Sequence, residues 1–322
     1  MPVPPPALGV PPTPEVIRSD VAAWLINDAL IELVRRFDGP KPVAGTLDLV
    51  ELQAWSAQHW DFRAGRERNL VDPDTVSGPL EEVVLEASGE LGLRWPEKPR
   101  FEQYDFLLML GGLVRACVWR PEYAAHLMAH GVTADSIYAV SGFRELNDAE
   151  LDLLPAFGLE GVREEHEAMA RALRTSFGVE LLDDTVPLDE SVQPNLRKRV
   201  AVGTGAAGRQ VALVVAPSRD AARRANTPDS YHYWASEVAK VSPGQRVLMV
   251  TSPIYVPFQH ADAVRMLGLP YGCVIDTVGI DPDAVDERGE PQIFRGVNHL
   301  QELNSTLRSY KALLDALDST AG

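Results

Sequence analysis

Cysteine and long apolar runs are scarce in this 322-residue chain, and their scarcity excludes several classes of protein. The only two cysteines, Cys117 and Cys273, are too few for a disulfide framework or a structural zinc site. No apolar run approaches the length that spans a bilayer, and the N-terminus lacks the charged and apolar regions of a secretory signal. We therefore expect a cytoplasmic protein with reduced, buried cysteines.

Positive charge is also in short supply. The formal net charge is −16 and the sequence pI is near 4.9. Such a protein repels nucleic-acid phosphates and anionic lipids, so we expect neither nucleic acid nor membrane as a partner. A small-molecule ligand remains the expected partner.

Several catalytic and cofactor motifs are missing or incomplete. The chain has no P-loop, G-x-S-x-G elbow or C-x-x-C pair. The segment "GTGAAG" at 203–208 matches G-x-G-x-x-G, but strand-like "RQVALVVAP" follows it where a dinucleotide site needs a helix. This predicts a glycine turn between two strands and disfavours NAD. His126 and His130 in "HLMAH" lack the glutamate of a hydrolytic zinc helix, so no metal site is predicted.

Three regions differ in composition. Residues 1–14 hold seven prolines and predict an extended or disordered leader. Residues 15–103 show helical periodicity, beginning with a cap-like Thr13 before Pro14, and predict a helical region packed on the core. Residues 104–322 predict the main domain, with an inserted arm at 179–210 and a final amphipathic helix.

In the main domain, short apolar runs alternate with helical stretches. The runs "YDFLLML", "SIYAVSG", "QVALVVAPS", "QRVLMVTSP" and "YGCVIDTVG" are typical of buried strands. Alternation of such strands with helices predicts a doubly wound α/β fold with a mainly parallel, Rossmann-like sheet. The N-terminal helices would form a further layer.

The segments that follow these strands are rich in glycine, hydroxyl groups and arginine. In an open parallel sheet, ligands bind outside the carboxyl ends of the strands. Arginine is suited to bidentate capture of phosphate or carboxylate groups. The arginines near strand ends therefore predict an anionic ligand; they are Arg115, Arg144, Arg219, Arg223 and Arg224.

The order of these short motifs resembles the YdcF/SanA/ElyC-like family of unknown function. The resemblance covers roughly residues 104–280 and the opening helix, and it depends on the order of the motifs. It implies a polar pocket at the strand ends, made by Gly111, Gly112, Ser141, Gly142, Glu167, Asn226, Thr227, Thr251, Ser252 and Tyr255. The chain departs from the pattern at Ala216-Pro217-Ser218, where the family has an acid, and at Val256 and Phe258, where it has histidine and arginine.

These expectations lead to a ligand-binding hypothesis. We expect a small anionic or nucleotide-like metabolite at the strand ends, with transfer or hydrolysis as its reaction. Glu167 would be the general base with a raised pKa, and Thr227 and Ser252 would stabilise negative charge together with the Gly111 and Gly112 amides.

Two alternatives remain open at this stage. In the first, the protein binds a ligand or a protein partner without catalysis, with the N-terminal helices as an interaction surface or a homo-oligomer contact. In the second, the sheet holds S-adenosylmethionine in a methyltransferase-like site, although no acid for the ribose is evident. The sequence does not identify the ligand or the cofactor.

Overall fold

The computed structural model describes residues 2–62, 72–180, 182–205, 208–285 and 292–320. The chain divides into two compact units. The helical unit comprises Met1–Pro96, Pro253–Leu269 and Gln292–Gly322, and the α/β unit comprises Glu97–Ser252 and Pro270–Pro291. Numbered along the chain, the helices are α1 (Pro14–Leu25), α2 (Asp28–Arg36), α3 (Leu49–His59), α4 (Pro79–Glu90), α5 (Val114–Ala129), α6 (Asp148–Leu151), α7 (Leu154–Phe157), α8 (Glu165–Phe177), α9 (Thr227–Tyr233), α10 (Val256–Ala263), α11 (Leu269–Tyr271) and α12 (Gly296–Thr320).

The α/β unit contains a seven-stranded sheet with the order β3-β4-β5-β2-β1-β6-β7. Its strands are β1 (Gln103–Leu110), β2 (Thr133–Ser141), β3 (Asp183–Val186), β4 (Arg199–Thr204), β5 (Gln210–Val215), β6 (Arg246–Thr251) and β7 (Val274–Gly279). Five neighbouring strands of the sheet run parallel, in the spatial order β5, β2, β1, β6 and β7. This confirms the predicted mixed α/β fold with a mainly parallel sheet and a C-terminal helix.

The parallel strands are almost continuously apolar because helices cover the sheet. Leu107, Leu108 and Met109 of β1 are fully buried, and so is Leu213 of β5. One apolar cluster joins these strands to α5 and α8. Burial on both faces explains why the strands read as apolar runs instead of alternating patterns.

The glycine-rich segment at 203–208 lies in an antiparallel hairpin. β4 pairs with β5 from Arg199 opposite Val215 to Thr204 opposite Gln210. The Gly205 amide donates to the Arg209 carbonyl oxygen at 2.9 Å. A strand, not a helix, follows the glycines, as the sequence predicts. β3 pairs with β4, so the predicted arm at 179–210 supplies two antiparallel strands at the edge of the sheet.

The helical unit is organised around α12. One side of this helix buries Leu300, Leu303, Leu307 and Tyr310 at helical spacing. It packs against α1, α3, α4 and α10 within the same unit. Within the described residues, no helix has both the length and the apolar character needed to cross a membrane.

The proline-rich leader, predicted to be extended or disordered, packs into the helical unit. Ala7 and Leu8 are buried within the helical unit. The Ala7 amide donates to Asp20 Oδ2 at 2.9 Å, and the Val3 amide donates to the Glu90 carbonyl oxygen at 2.9 Å. Prolines prevent helix and strand formation but do not prevent packing of an extended segment. Thr13 then caps α1 through its side chain, as predicted.

The grouping of segments differs from the predicted boundaries at 14 and 103. Residues 253–269 and 292–322 are grouped with the N-terminal helices, although the prediction placed them in the 104–322 domain. The chain therefore leaves the α/β unit after β6 and returns for β7. Periodicity reports the type of each element but not the unit that it joins.

Candidate functional site

The carboxyl ends of the parallel strands define the candidate site. Counted among the parallel strands alone, their order is third, second, first, fourth and fifth along the chain. The direction of winding reverses between β1 and β6, and ligands of open α/β sheets bind at such a reversal. Gly111 follows β1, Ser141 ends β2, and Thr251 ends β6, so the fold brings these predicted residues to one edge of the sheet.

Arg120 of α5 holds the turn at the end of β1. Its Nη1 donates to the carbonyl oxygens of Leu110 and Gly111 at 2.5 and 2.6 Å, and its Nη2 donates to Ser252 Oγ at 3.3 Å. The side chain is 1% exposed. Arg120 thus fastens the end of β1 to the segment that follows β6, and sequence analysis missed it because it lies in mid-helix.

A second arginine, the half-buried Arg144, joins two carboxylates at the end of β2. Its Nη1 and Nη2 donate to the Glu150 carboxylate at 2.7 and 2.8 Å, and its Nε donates to Glu165 Oε2 at 2.9 Å. Ser141 Oγ donates to Glu165 Oε1 at 3.1 Å. We call Ser141, Arg144, Glu150 and Glu165 the strand-end network. In this structure the Arg144 guanidinium binds the chain's own carboxylates.

The pKa values of the two glutamates of this network are shifted in opposite directions. Burial raises the pKa of Glu150, but hydrogen bonds from Arg144 and the Asn147 amide outweigh burial and hold that pKa below its usual value. Burial raises the pKa of Glu165, and the opposing attraction of Arg144 does not restore it. Glu150 is therefore the ionised partner of Arg144, whereas Glu165 takes up a proton more readily than a free glutamate.

Glu167, predicted as a general base with a raised pKa, has a lowered pKa and caps α8. Its Oε2 accepts hydrogen bonds from the Arg163 and Glu164 amides at 2.7 and 3.0 Å, which completes a capping box at the start of α8. Burial raises the pKa of Glu167, but these two hydrogen bonds outweigh it and the net pKa is lowered.

Glu165 is the carboxyl group of α8 that faces the strand ends. Helical spacing could have identified it, because Glu165 shares the buried face with Ala168, Met169 and Ala172. A glutamate on the apolar face of a helix needs a partner or a function. The resemblance drew attention to Glu167 instead.

Asn226 and Thr227 come from the loop after β5 and begin α9. Asn226 caps the helix by accepting from the Asp229 amide, and Asp229 accepts in return from the Asn226 amide. Arg223 Nη1 donates to Asp229 Oδ2 at 2.5 Å. In the sheet, β2 and β1 separate β5 from β6. Three strand spacings separate the ends of β5 and β6 by about 14 Å. The two strands are not neighbours in the sheet, so their order alone does not place Thr227 beside Ser252.

The remaining predicted residues have varied surroundings. Thr251 is fully buried and Gly142 is half-buried, both at the strand ends. Arg115 of α5 is half-buried, and its Nε has no hydrogen-bond partner within the described part of the chain. Arg219 and Arg224 are exposed. Tyr255 belongs to the helical unit, where its ring packs against Phe258 and Phe294.

A cavity of about 380 Å³ lies elsewhere in the α/β unit, between α5, α7 and α8. Val118, Phe157 and Leu159 form apolar walls, and Arg171 and Arg174 stand among its polar lining residues. None of the strand-end network residues lines this cavity. Cavity volume alone would therefore favour a ligand site away from the strand ends. The sheet topology and the polar side chains favour a ligand site at the strand ends.

The known proteins that this chain resembles are not members of the family expected from the sequence motifs. The family model of the Rv3785 N-terminal domain matches residues 10–92, which lie in the helical unit. Uncharacterized protein Rv3785 of Mycobacterium tuberculosis strain H37Rv is 29% identical over 334 residues, covering 94% of this chain and 91% of the relative. Uncharacterized protein Mb3814 of Mycobacterium bovis matches with the same identity and coverage. No solved structure matches the chain significantly.

The resemblance to the YdcF/SanA/ElyC-like family is therefore wrong. The family match and the relatives that span nearly the whole chain are Rv3785 proteins. The motifs that suggested the resemblance are short turns of glycine and hydroxyl residues after strands. Parallel sheets of many functions carry such turns at their carboxyl ends, so these motifs indicate a fold and not a family.

Proposed function

We propose that the α/β unit binds a small polar metabolite at the carboxyl ends of its parallel strands, beside the reversal between β1 and β6. The polar groups available there are the hydroxyl groups of Ser141 and Ser252 and the backbone of Gly142. Arg120 and the strand-end network hold these segments in place through hydrogen bonds. The sequence predicts an anionic or nucleotide-like ligand, and the charged side chains around the strand ends bear on that prediction.

Gly142 is the observation that carries the proposal. Its φ lies outside the range between +20° and +160°, and a Cβ placed on it would meet no atom within 4 Å. The fold therefore does not require glycine at this position. Glycine at a strand end also permits close approach of a ligand to the backbone. Gly111 differs, because a Cβ there would clash with Glu165 Oε1 and lie 2.9 Å from the Val140 carbonyl oxygen.

Glu165 is the acid–base group of the proposed site, in place of Glu167. Its carboxyl group contacts Ser141 and lies against Gly111 at the end of β1. A buried carboxyl group with a raised pKa is a common feature of catalytic sites. Transfer or hydrolysis on the bound metabolite remains a proposal that identification of the ligand would define. The two free, buried cysteines support the proposed cytoplasmic location.

The experiment combines release of the bound molecule with substitutions at one strand. Purified protein is denatured, and mass spectrometry identifies any small molecule that is released. Calorimetric titration of that molecule then compares wild type with Gly142→Ala and Gly142→Val. We expect Gly142→Val to weaken binding about tenfold or more, because the larger side chain blocks approach to the strand end, with an unchanged thermal midpoint.

The matched control is Asp135→Val, which places the same side chain at an exposed position in the amino-terminal half of β2. This variant should bind as wild type does. Unchanged binding by Gly142→Val would contradict the proposal, and so would the absence of any released or titratable small molecule.

A further inference from the structure

Three helices of the α/β unit, α5, α8 and α9, have carboxylates of the chain itself at their N-termini. The Val114 amide at the start of α5 donates to Glu150 Oε1 at 2.9 Å. Glu167 caps α8, and Asp229 caps α9. The N-terminus of a helix is where α/β proteins usually bind the phosphate of a ligand. Here a carboxylate of the protein occupies each of these positions.

Arg144, which pairs with Glu150 near the start of α5, has no donor left for a ligand. A guanidinium group has five N–H donors. Arg144 directs Nε to Glu165, both terminal nitrogens to Glu150, Nη1 also to the Glu145 carbonyl oxygen and Nη2 also to the Gly112 carbonyl oxygen. All five donors are thus used within the chain.

The loop after β5 repeats this arrangement. Arg223 donates to both oxygens of Asp229, which is 2% exposed. Burial raises the pKa of Asp229, but the Arg223 hydrogen bond and the Asn226 amide outweigh it and lower the pKa. Two of the five arginines that suggested an anionic ligand are therefore neutralised by buried, ionised carboxylates.

We propose that the ligand meets the strand ends through uncharged hydroxyl or amide groups, and that Glu150 and Asp229 exclude phosphate, sulfate and carboxylate groups from the helix N-termini. This inference rests on the proposed function and narrows its ligand to a neutral, hydroxyl-bearing metabolite such as a polyol, a sugar or a nucleoside. A phosphate brought to these positions would meet a fixed negative charge, and the donors of Arg144 would all be engaged within the chain. Like-charge contact of this kind rejects a ligand by repulsion.

The first test uses anions alone and needs no knowledge of the ligand. Thermal unfolding of wild type, Glu150→Ala and Glu145→Ala is measured in chloride and in millimolar formate or phosphate at matched ionic strength. Removing the Glu150 side chain exposes the Arg144 fork and the Val114 amide. We expect formate or phosphate to raise the midpoint of Glu150→Ala by several degrees and to leave wild type unchanged.

The control, Glu145→Ala, removes an exposed carboxylate from the same loop and should behave as wild type does. Should Glu150→Ala not fold, Glu150→Gln is used instead, because it keeps the volume of the side chain and removes its charge. Formate or phosphate should raise the thermal midpoint of Glu150→Gln as well, by a smaller amount. Stabilisation of wild type by phosphate that disappears in Gly142→Val would overturn the inference. Equal responses of wild type and both Glu150 variants would overturn it as well.

The second test is the charge of the released molecule. A neutral or cationic molecule supports the inference, and a phosphorylated, sulfated or carboxylated one overturns it. These outcomes are separate from failure of the proposed function, because a phosphorylated molecule whose binding depends on Gly142 refutes the ligand class alone. A molecule whose binding ignores Gly142 refutes the site.

Discussion

The strand ends of the α/β unit differ from the interior of the helical unit in how they accommodate buried polar groups. At the strand ends, the half-buried Arg144 forms an ion pair with the buried Glu150, and every guanidinium donor of Arg144 is used. In the helical unit, Trp24 Nε1, His299 Nδ1 and Tyr310 Oη are buried and have no hydrogen-bond partner within the described residues. The Trp24 and Tyr310 rings instead make an edge-to-face contact with each other.

The contrast indicates which forces hold each region. The helical unit is held by apolar and aromatic burial, which tolerates a few unpaired polar atoms when their groups stay neutral. The strand ends contain ionised groups, and these persist in a buried place only as a complete network. Removal of one charge should therefore affect the two regions very differently.

The largest expected effect is that of Arg144→Ala. This change leaves Glu150 and Glu165 as neighbouring buried carboxyl groups without their cation, and we expect a loss of about 3–5 kcal/mol in the free energy of unfolding. Denaturant titration measures it, with exposed Arg174→Ala as the control. The double variant Arg144→Ala/Glu150→Ala should recover part of the loss. A cost for Arg144→Ala within the range of surface substitutions would show that the network is not an electrostatic unit.

An intermediate effect is expected from His299 of α12. Burial, with the nearby charge of Arg94, lowers its pKa to about 3 from an ordinary 6.5. The unfolded chain therefore binds a proton that the folded one does not, so stability falls as pH drops below about 6.5. Between pH 6.5 and pH 5 this residue alone should cost about 2 kcal/mol, at about 1.4 kcal/mol per pH unit.

The measurement for His299 is the difference between unfolding free energies of wild type and His299→Leu across this pH range. The variant should show a shallower acid-side decline, although burial also lowers the pKa of His166 to about 4 and that residue keeps its own contribution. His59→Gln on the surface of α3 serves as the control. Parallel curves for wild type and His299→Leu would mean that His299 is not a buried neutral group.

The smallest effect distinguishes two neighbouring glutamates at the start of α8. The raised pKa of Glu165 gives stability that is present below about pH 4.5, its ordinary value, and is lost as pH rises. The lowered pKa of Glu167 gives stability that is present above pH 4.5 and is lost as pH falls. Glu165→Gln and Glu167→Gln should therefore yield difference curves of opposite slope.

At neutral pH we expect Glu167→Gln to cost about 1 kcal/mol or less, as loss of a helix cap does. Unfolding at a series of pH values compares the two variants under identical conditions. Slopes of the same sign would remove the distinction between a buried acid and a capping acid.

The helices and strands could be predicted from the sequence better than the side-chain contacts between them. Thr13 and Pro14 marked the start of α1, and apolar runs marked the parallel strands, because these signals are local. The role of Arg144 was not local: arginine in a loop after a strand is equally compatible with a ligand anion and with Glu150 from the next helix. Only the folded chain shows which carboxylate it binds.

The leader and Glu165 illustrate two further limits. Proline density correctly excluded a helix, but burial of Ala7 and Leu8 depends on surfaces provided by distant segments. Glu165 carried a usable signal in its helical spacing, and it was missed because a family pattern outweighed the periodicity. The return of the chain to the helical unit at Pro253 left no compositional mark in the sequence.

The central claim is that the α/β unit holds its ligand at the strand ends, and an experimental structure of the protein with its co-purified molecule tests it most directly. The account predicts ligand atoms within about 4 Å of the Gly142 backbone and the Ser252 hydroxyl, with Glu150 still bound to Arg144 and the Val114 amide. A molecule bound instead in the cavity between α5, α7 and α8, with the strand ends empty, would contradict the claim.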